Sequence, residues 1–226
     1  MIDLKAETHC DFCGMPLTGV SFEQLNDGRI RCNDCSSTAI NSVQEFTRIY
    51  YQCQTLMEGF FDIHFDMDID VKLADAKKIA RGWGGVYKPT SEVDERVLGF
   101  ARQMFGKFDI FVENGSPRLE TISTLVHEMT HIWQYTNWDE SELKKKYPKQ
   151  DNRDMIYEGM AVWVSIQFLY MIGEYSYARK KEILTMNRGD VYGEGFKLFL
   201  QKYPMVKDSS MLIYSPFKLF PPLDGE

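Results

Sequence analysis

The segment "LVHEMTHIWQ", residues 125–134, places His127 and His131 four positions apart within an apolar run. On an α-helix, residues i and i+4 share a face, so the spacing asks for a helix that turns two imidazoles towards one point. Glu128 stands beside the pair. Shuffling this composition would produce a His-Glu-x-x-His pattern roughly 0.005 times per chain, so chance explains it poorly. The plain alternative is a buried helix with two hydrogen-bonded histidines, and the surrounding sequence weighs against it.

"NGSP" at 114–117 marks a turn, after which Ser116 is suited to cap a helix and Pro117 to be its first residue. Leu119, Ile122, Leu125, Val126, Met129, Ile132 and Trp133 then supply apolar faces as far as about Tyr135. "KFDIFVEN" at 107–114 predicts a strand ahead of it. Further upstream Phe65, Met67, Ile69, Val71 and Leu73 alternate with Asp66, Asp68, Asp70 and Lys72, the pattern of a half-buried strand with a solvated acidic face. Between them "ADAKKIARG" reads as a short helix and "GGVYKP" as a short strand, while "SEVDERVLGFARQMFG" fits either state. A long helix is expected from about Ser37 to Phe60. After the histidines, a charged loop ending in "YPKQDN" leads to a helix from about Arg153 to Ile172, and the remainder suggests further helices. Strands and helices in this order predict an α+β fold.

Two imidazoles on one helical face can bind a metal ion at about 2.0–2.1 Å, with the adjacent Glu128 placed to take a proton from a metal-bound water. A catalytic zinc usually has three protein ligands and one open position. The metzincin pattern needs Gly at 134 and His at 137, where this chain has Gln134 and Asn137. No histidine follows His131, so the third ligand is a carboxylate unless His9 or His64 folds back. Asp139, Glu140 and Glu142 lie near the expected helix end. Glu158 sits in "MIYEGMAVWV", where an unpaired carboxylate would be costly to bury, and zinc ligation offers the compensation. Gly159 beside it permits close approach to the first helix. A buried glutamate paired with Arg or Tyr is the competing reading. Tyr192 in "DVYGEG" is the candidate to stabilise an oxyanion, with Tyr175 and Tyr177 behind it and simple packing as the alternative.

All five cysteines fall in the first 53 residues, and Cys10, Cys13, Cys32 and Cys35 form CxxC-x18-CxxC. Two such pairs satisfy a tetrahedral thiolate site, which makes a structural zinc the expectation. A redox pair would come singly in a βαβ setting. Residues 1–37 have too little apolar sequence to hold a core unaided, so a metal staple suits them. The predicted organisation is a zinc module over 1–37, a connecting helix over 38–60, and a larger domain over 61–226. Net charge of −7 disfavours broad phosphate neutralisation, so nucleic acid is an unlikely partner. With no apolar stretch of membrane-spanning length and no signal or transit pattern at "MIDLKAETHC", the expectation is a cytoplasmic protein without a membrane partner.

Three motifs in one order, "NGSPRLETISTLVHEMTHIW", "YEG" at 157–159 and "VYGEGF" at 191–196, resemble "GLPRLLTG…HEMMHAW", "EEG" and "VYGDGF" of the plant LIM-domain peptidases that limit organ size, the DA-one family, and their bacterial relatives. The similarity spans about residues 60–210. It implies a gluzincin-like zincin domain behind a small LIM-like module of treble-clef or zinc-ribbon type. It also implies zinc ligation by His127, His131 and Glu158, acid/base work by Glu128, and hydrolysis of protein or peptide substrates. Two zinc ions are then expected, one catalytic and one structural, and the N-terminal module is a possible docking site for a protein partner. Expected substrate pairing falls on "FDIFVEN". Two other readings stay open: a non-catalytic zinc-module adaptor with a degenerate peptidase domain, and a DNA-associated protease of the SprT-like type.

Overall fold

The computed structural model describes residues 9–82, 84–85, 97–207 and 214–223. Four of the six residues of the strand expected at "GGVYKP" lie outside them. The chain is a mixed α+β protein. Its N-terminal part is a hairpin of β1 (Phe22–Gln24) and β2 (Ile30–Cys32), followed by the short helix α1 (Asn33–Ser37). The long helix expected from Ser37 is divided: α2 runs Val43–Phe61, and Ser42 caps it by accepting from the Glu45 N–H. Residues between the two helices pair instead with the turn before the histidine helix. Ile40 N donates to Ser116 O, Gly115 N to Ile40 O, and Arg118 N to Thr38 O.

A three-stranded sheet follows in the order β3 (Ile69–Ala74), β5 (Lys107–Glu113), β4 (Gly99–Met104), with α3 (Ala76–Gly82) after β3. β3 pairs parallel and β4 antiparallel with β5. The acid-alternating stretch thus enters the sheet only from Ile69. Phe65 precedes it, its N–H held by Glu58. Strand alternation sorts the β5 side chains between the two faces of the sheet. Phe108, Ile110 and Val112 join the main core, while Phe111 stacks on Phe100 on the other face.

On the core side lies α4 (Arg118–Asn137), packed against β4, β5 and α6 (Gln150–Met171). Pro117, not Ser116, is the residue at the N-cap position of α4, and the buried Ser116 hydroxyl has no hydrogen-bond partner. The chain there is held by the strap at Thr38–Ile40, which replaces a side-chain cap. The expected charged loop contains a further helix, α5 (Glu140–Lys146), whose start is capped by Asp139 and whose last turn carries three lysines. Both features suit the helix dipole. α7 (Tyr175–Met186) and α8 (Val191–Lys202) follow. No described helix is long and apolar enough to cross a membrane.

The cysteine module is tied to the sheet by two arginines. Arg29, only 2% exposed, pairs with the equally buried Glu113 at 2.6 Å and donates to Asn114 O and Oδ1. Arg31 donates to Gly115 O at 2.5 Å.

Candidate functional site

Four sulfurs come first in the chain. Cys10, Cys13, Cys32 and Cys35 offer Sγ atoms that all lie within 4.8 Å of one another, and Cys13 and Cys32 Sγ are 3.8 Å apart. Zn–S bonds of about 2.3 Å in a tetrahedron separate sulfurs by about 3.8 Å, so the cluster can hold such an ion. The pairs get there by local geometry. Cys10 lies in a tight turn, with Gly14 N donating to Cys10 O, and Cys32 caps α1, which brings Cys35 one turn away. Backbone N–H groups of Cys32 and Cys35 point at Cys10 and Cys32 sulfurs. The hydrogen bond from Cys35 leads the effects that bring the Cys10 thiol down to about 4, so an anionic sulfur is already favoured there. His9 bridges to Pro16 and is outside the cluster.

The second cluster is His127, His131 and Glu158. α4 carries the histidines on one face, and α6 brings the glutamate across. His127 Nε2 and His131 Nε2 are 3.0 Å apart, and Glu158 Oε2 is 3.1 Å from the first and 3.3 Å from the second. A tetrahedral zinc with bonds of about 2.0–2.1 Å spaces its ligand atoms by about 3.3 Å, so the three atoms form one face of a suitable tetrahedron. His64 takes no part.

His131 is oriented by a residue the motif does not reveal. Its Nδ1–H donates to Gln134 Oε1 at 2.8 Å, while the Gln134 amide donates to Tyr157 O at 3.0 Å. That fixes the ring orientation and leaves Nε2 as the atom facing Glu158. The available signal was a polar residue three positions on, in the apolar surroundings of α4.

Burial opposes a charge on His131, but Glu158 outweighs it and raises the imidazole to about 9. Burial works against the Glu158 carboxylate too, and hydrogen bonds from His127 and His131 nevertheless carry its pKa well below the ordinary range. A metal needs the neutral imidazole, so a cation entering this site displaces the His131 proton. Affinity is therefore expected to rise with pH up to about 9, by close to tenfold per unit. Chelator competition at several pH values measures this; a flat profile would contradict the proton displacement.

Glu128 is 7% exposed, and its carboxylate accepts from the Ala101 N–H of β4. Burial pushes its pKa up; the two histidines and the Ala101 bond pull it back, and Glu158 adds to the rise. Gly99 makes this approach possible. A Cβ there would meet Thr124 Cγ2 at 2.7 Å and Phe111 O at 2.8 Å.

Tyr192 reaches the site, its ring 6.3 Å from that of His127, and the Arg188 guanidinium lies 4.8 Å from the centre of the same ring. Burial, then the Glu158 and Glu128 carboxylates, hold its hydroxyl well above the usual tyrosine range. The other two tyrosines lie elsewhere: Tyr175 packs on Tyr170, and the Tyr177 hydroxyl donates to Glu120. Tyr135, which the sequence reading passed over, stacks near-parallel on His131 at 6.1 Å and is raised to about 12 by burial and by Glu128 and Glu158.

The expectation for Gly159 needs correction. Its bare face meets α8, not α4: a Cβ would lie 2.4 Å from Gly195 C, and one on Gly195 would lie 2.2 Å from Met155 O. This backbone contact seats α8 against the helix that carries Glu158, with Tyr192 one turn away. Gly195→Ala is expected to destabilise the fold by about 3 kcal/mol, because both neighbours are rigid helix backbone. Thermal denaturation followed by circular dichroism tests this; a midpoint equal to wild type would mean the crossing is looser than it looks.

Comparisons with protein-family models, with curated proteins and with solved structures find no match to this chain.

Proposed function

We propose that this chain is a zinc-dependent metallopeptidase of gluzincin type, similar to the DA-one family, with a separate structural zinc in the four-cysteine module. The observation that supports this most is the convergence of His127, His131 and Glu158 at tetrahedral spacing, with Glu128 beside them and bonded to an adjacent strand.

The strand assigned to substrate differs from the sequence expectation. β5, which contains "FDIFV", is central and paired on both sides, so it has no free edge for a peptide. β4 is at the sheet edge. Glu113 N donates to Leu98 O, and bonded pairs alternate along an antiparallel ladder. Phe100 and Arg102 therefore direct their backbone groups to β5, and Gly99, Ala101 and Gln103 direct theirs outward. Glu128 already sits on the Ala101 N–H, which marks this edge as the one beside the reacting groups. An extended peptide adds there as a fourth strand.

His127, His131 and Glu158 would hold a zinc ion, which would supply Lewis acidity to a water and to the peptide carbonyl. Glu128 takes the water proton as oxygen bonds to the carbonyl carbon, then delivers it to the departing amine nitrogen as the C–N bond breaks. Tyr192 and Tyr135 flank the triad as hydroxyl donors for the developing oxyanion.

The test is mass-spectrometric identification of cleavage sites in a peptide library incubated with zinc-loaded protein. Cleavage that stops on removing the metal is expected, with close to two zinc ions per chain. No cleavage by the loaded protein would overturn the reading.

A further inference from the structure

The face of the sheet turned away from α4 carries a concentration of positive charge at odds with a chain of net charge −7. Lys72, Lys78, Arg81 and Arg102, with Gly82, Phe100 and Phe111, line a recess of about 470 Å³ there. Lys72 Nζ, Lys78 Nζ and Arg102 Cζ lie 5.3, 5.2 and 4.8 Å from the centre of one ring, that of Phe111. Three cationic groups thus converge on a single point.

Asp109 partly answers them, at 2.7 Å from Lys72 and 2.9 Å from Arg102, and Asp70 reaches Lys72 from a mostly exposed position at 2.8 Å. Lys78 and Arg81, exposed on α3, add to Lys72 and Arg102 and leave the recess attractive to an anion.

Its position links it to the site proposed above. Arg102 and Phe100 are consecutive outer-face residues of β4, and Ala101 between them meets Glu128. A peptide strand added to the β4 edge has side chains alternating between faces, and one opposite an edge residue comes within about 5 Å, Cβ to Cβ. Every second side chain of that peptide therefore turns onto the face with Arg102 and Phe100, next to the residue at Glu128.

The geometry points to this recess as a specificity subsite for an acidic side chain of the substrate, within one or two residues of the scissile bond. The inference rests on the peptidase reading and on β4 as the strand that receives the peptide. Phe100 and Phe111 supply an apolar floor for the methylenes, and the four cations supply the charge.

The test compares peptide pairs that differ only by Glu against Gln, or Asp against Asn, at each position flanking a mapped cleavage site. Wild-type protein is expected to prefer the acid at one position by roughly tenfold in kcat/KM, the scale of a pair of half-exposed charge contacts. The Lys78→Glu, Arg81→Glu double variant, altered only at exposed positions of α3, is expected to abolish or invert that ratio. Fluorescence anisotropy of the same peptides on Glu128→Gln protein should show the same ordering and weaken in high salt. Cleavage without an acid preference, or a preference that the double variant keeps, overturns the subsite and leaves the peptidase reading standing. No cleavage by zinc-loaded wild type would end the peptidase reading, and the subsite with it.

Discussion

Replacing Glu128 by Gln is expected to lower kcat/KM on peptide substrates by roughly 10²–10⁴-fold while leaving the metal content unchanged. The substitution keeps the side chain's shape and retains an oxygen to accept from the Ala101 N–H, so the packing of β4 on α4 is preserved. What it removes is the ability to hold a proton between attack of water and departure of the amine. The ligands are untouched: His127, His131 and Glu158 meet each other at 3.0–3.3 Å without any contribution from Glu128. Kinetic assay alongside zinc analysis separates the two effects. A variant with full zinc and wild-type turnover would show that Glu128 is not the proton carrier, and the peptidase mechanism would fail at its centre.

A second large effect is expected from Cys32→Ser. Zinc content should drop from two ions per chain to one, and residues 9–35 should become open to proteolysis. The module's own buried apolar residues are Cys10, Leu17, Cys32 and Cys35, three of them ligands, so little is left to hold it once the ion is lost. Binding of a structural zinc contributes on the order of 10–16 kcal/mol in small modules, far beyond what this core can replace. The damage should spread. Arg29 belongs to the module, and its displacement breaks its 2.6 Å ion pair with Glu113, a residue 1% exposed beside the start of α4. Residues Thr38–Ile40, which hold the turn ahead of α4, follow directly on α1. Limited proteolysis with mass spectrometry, read beside zinc content and melting temperature, tests the chain of effects. Two zinc ions and an unchanged cleavage pattern would mean the cysteines are not a structural site.

Much of this was legible in local sequence. Helical periodicity located α4 and α6 to within a few residues, and strand alternation separated the two faces of β3, because both periods follow from backbone geometry alone. Elements whose conformation depends on a distant partner were misread. The long N-terminal helix is split because residues 38–41 hydrogen-bond to 115–118. Ser116 matches the local pattern of a cap, yet its neighbours' backbone groups are taken by that strap. Asp139 and Lys144–Lys146 were signals for α5 that the charge of the segment obscured.

The candidate site divides in the same way. Residue types and spacing singled out the two groups that could hold a metal ion, because CxxC turns and an i, i+4 histidine pair are local geometries that any compatible fold must honour. The role of Gln134, the presence of Tyr135 beside His131, the seat of Gly159 against Gly195 and the choice of β4 as free edge were decided by the tertiary structure. Each depends on which element lies next to which, and pairwise approach over tens of residues leaves no period in the sequence. Glu158 stands between the two: its apolar setting singled it out, and only the packing of α6 on α4 brings its carboxylate to the histidines.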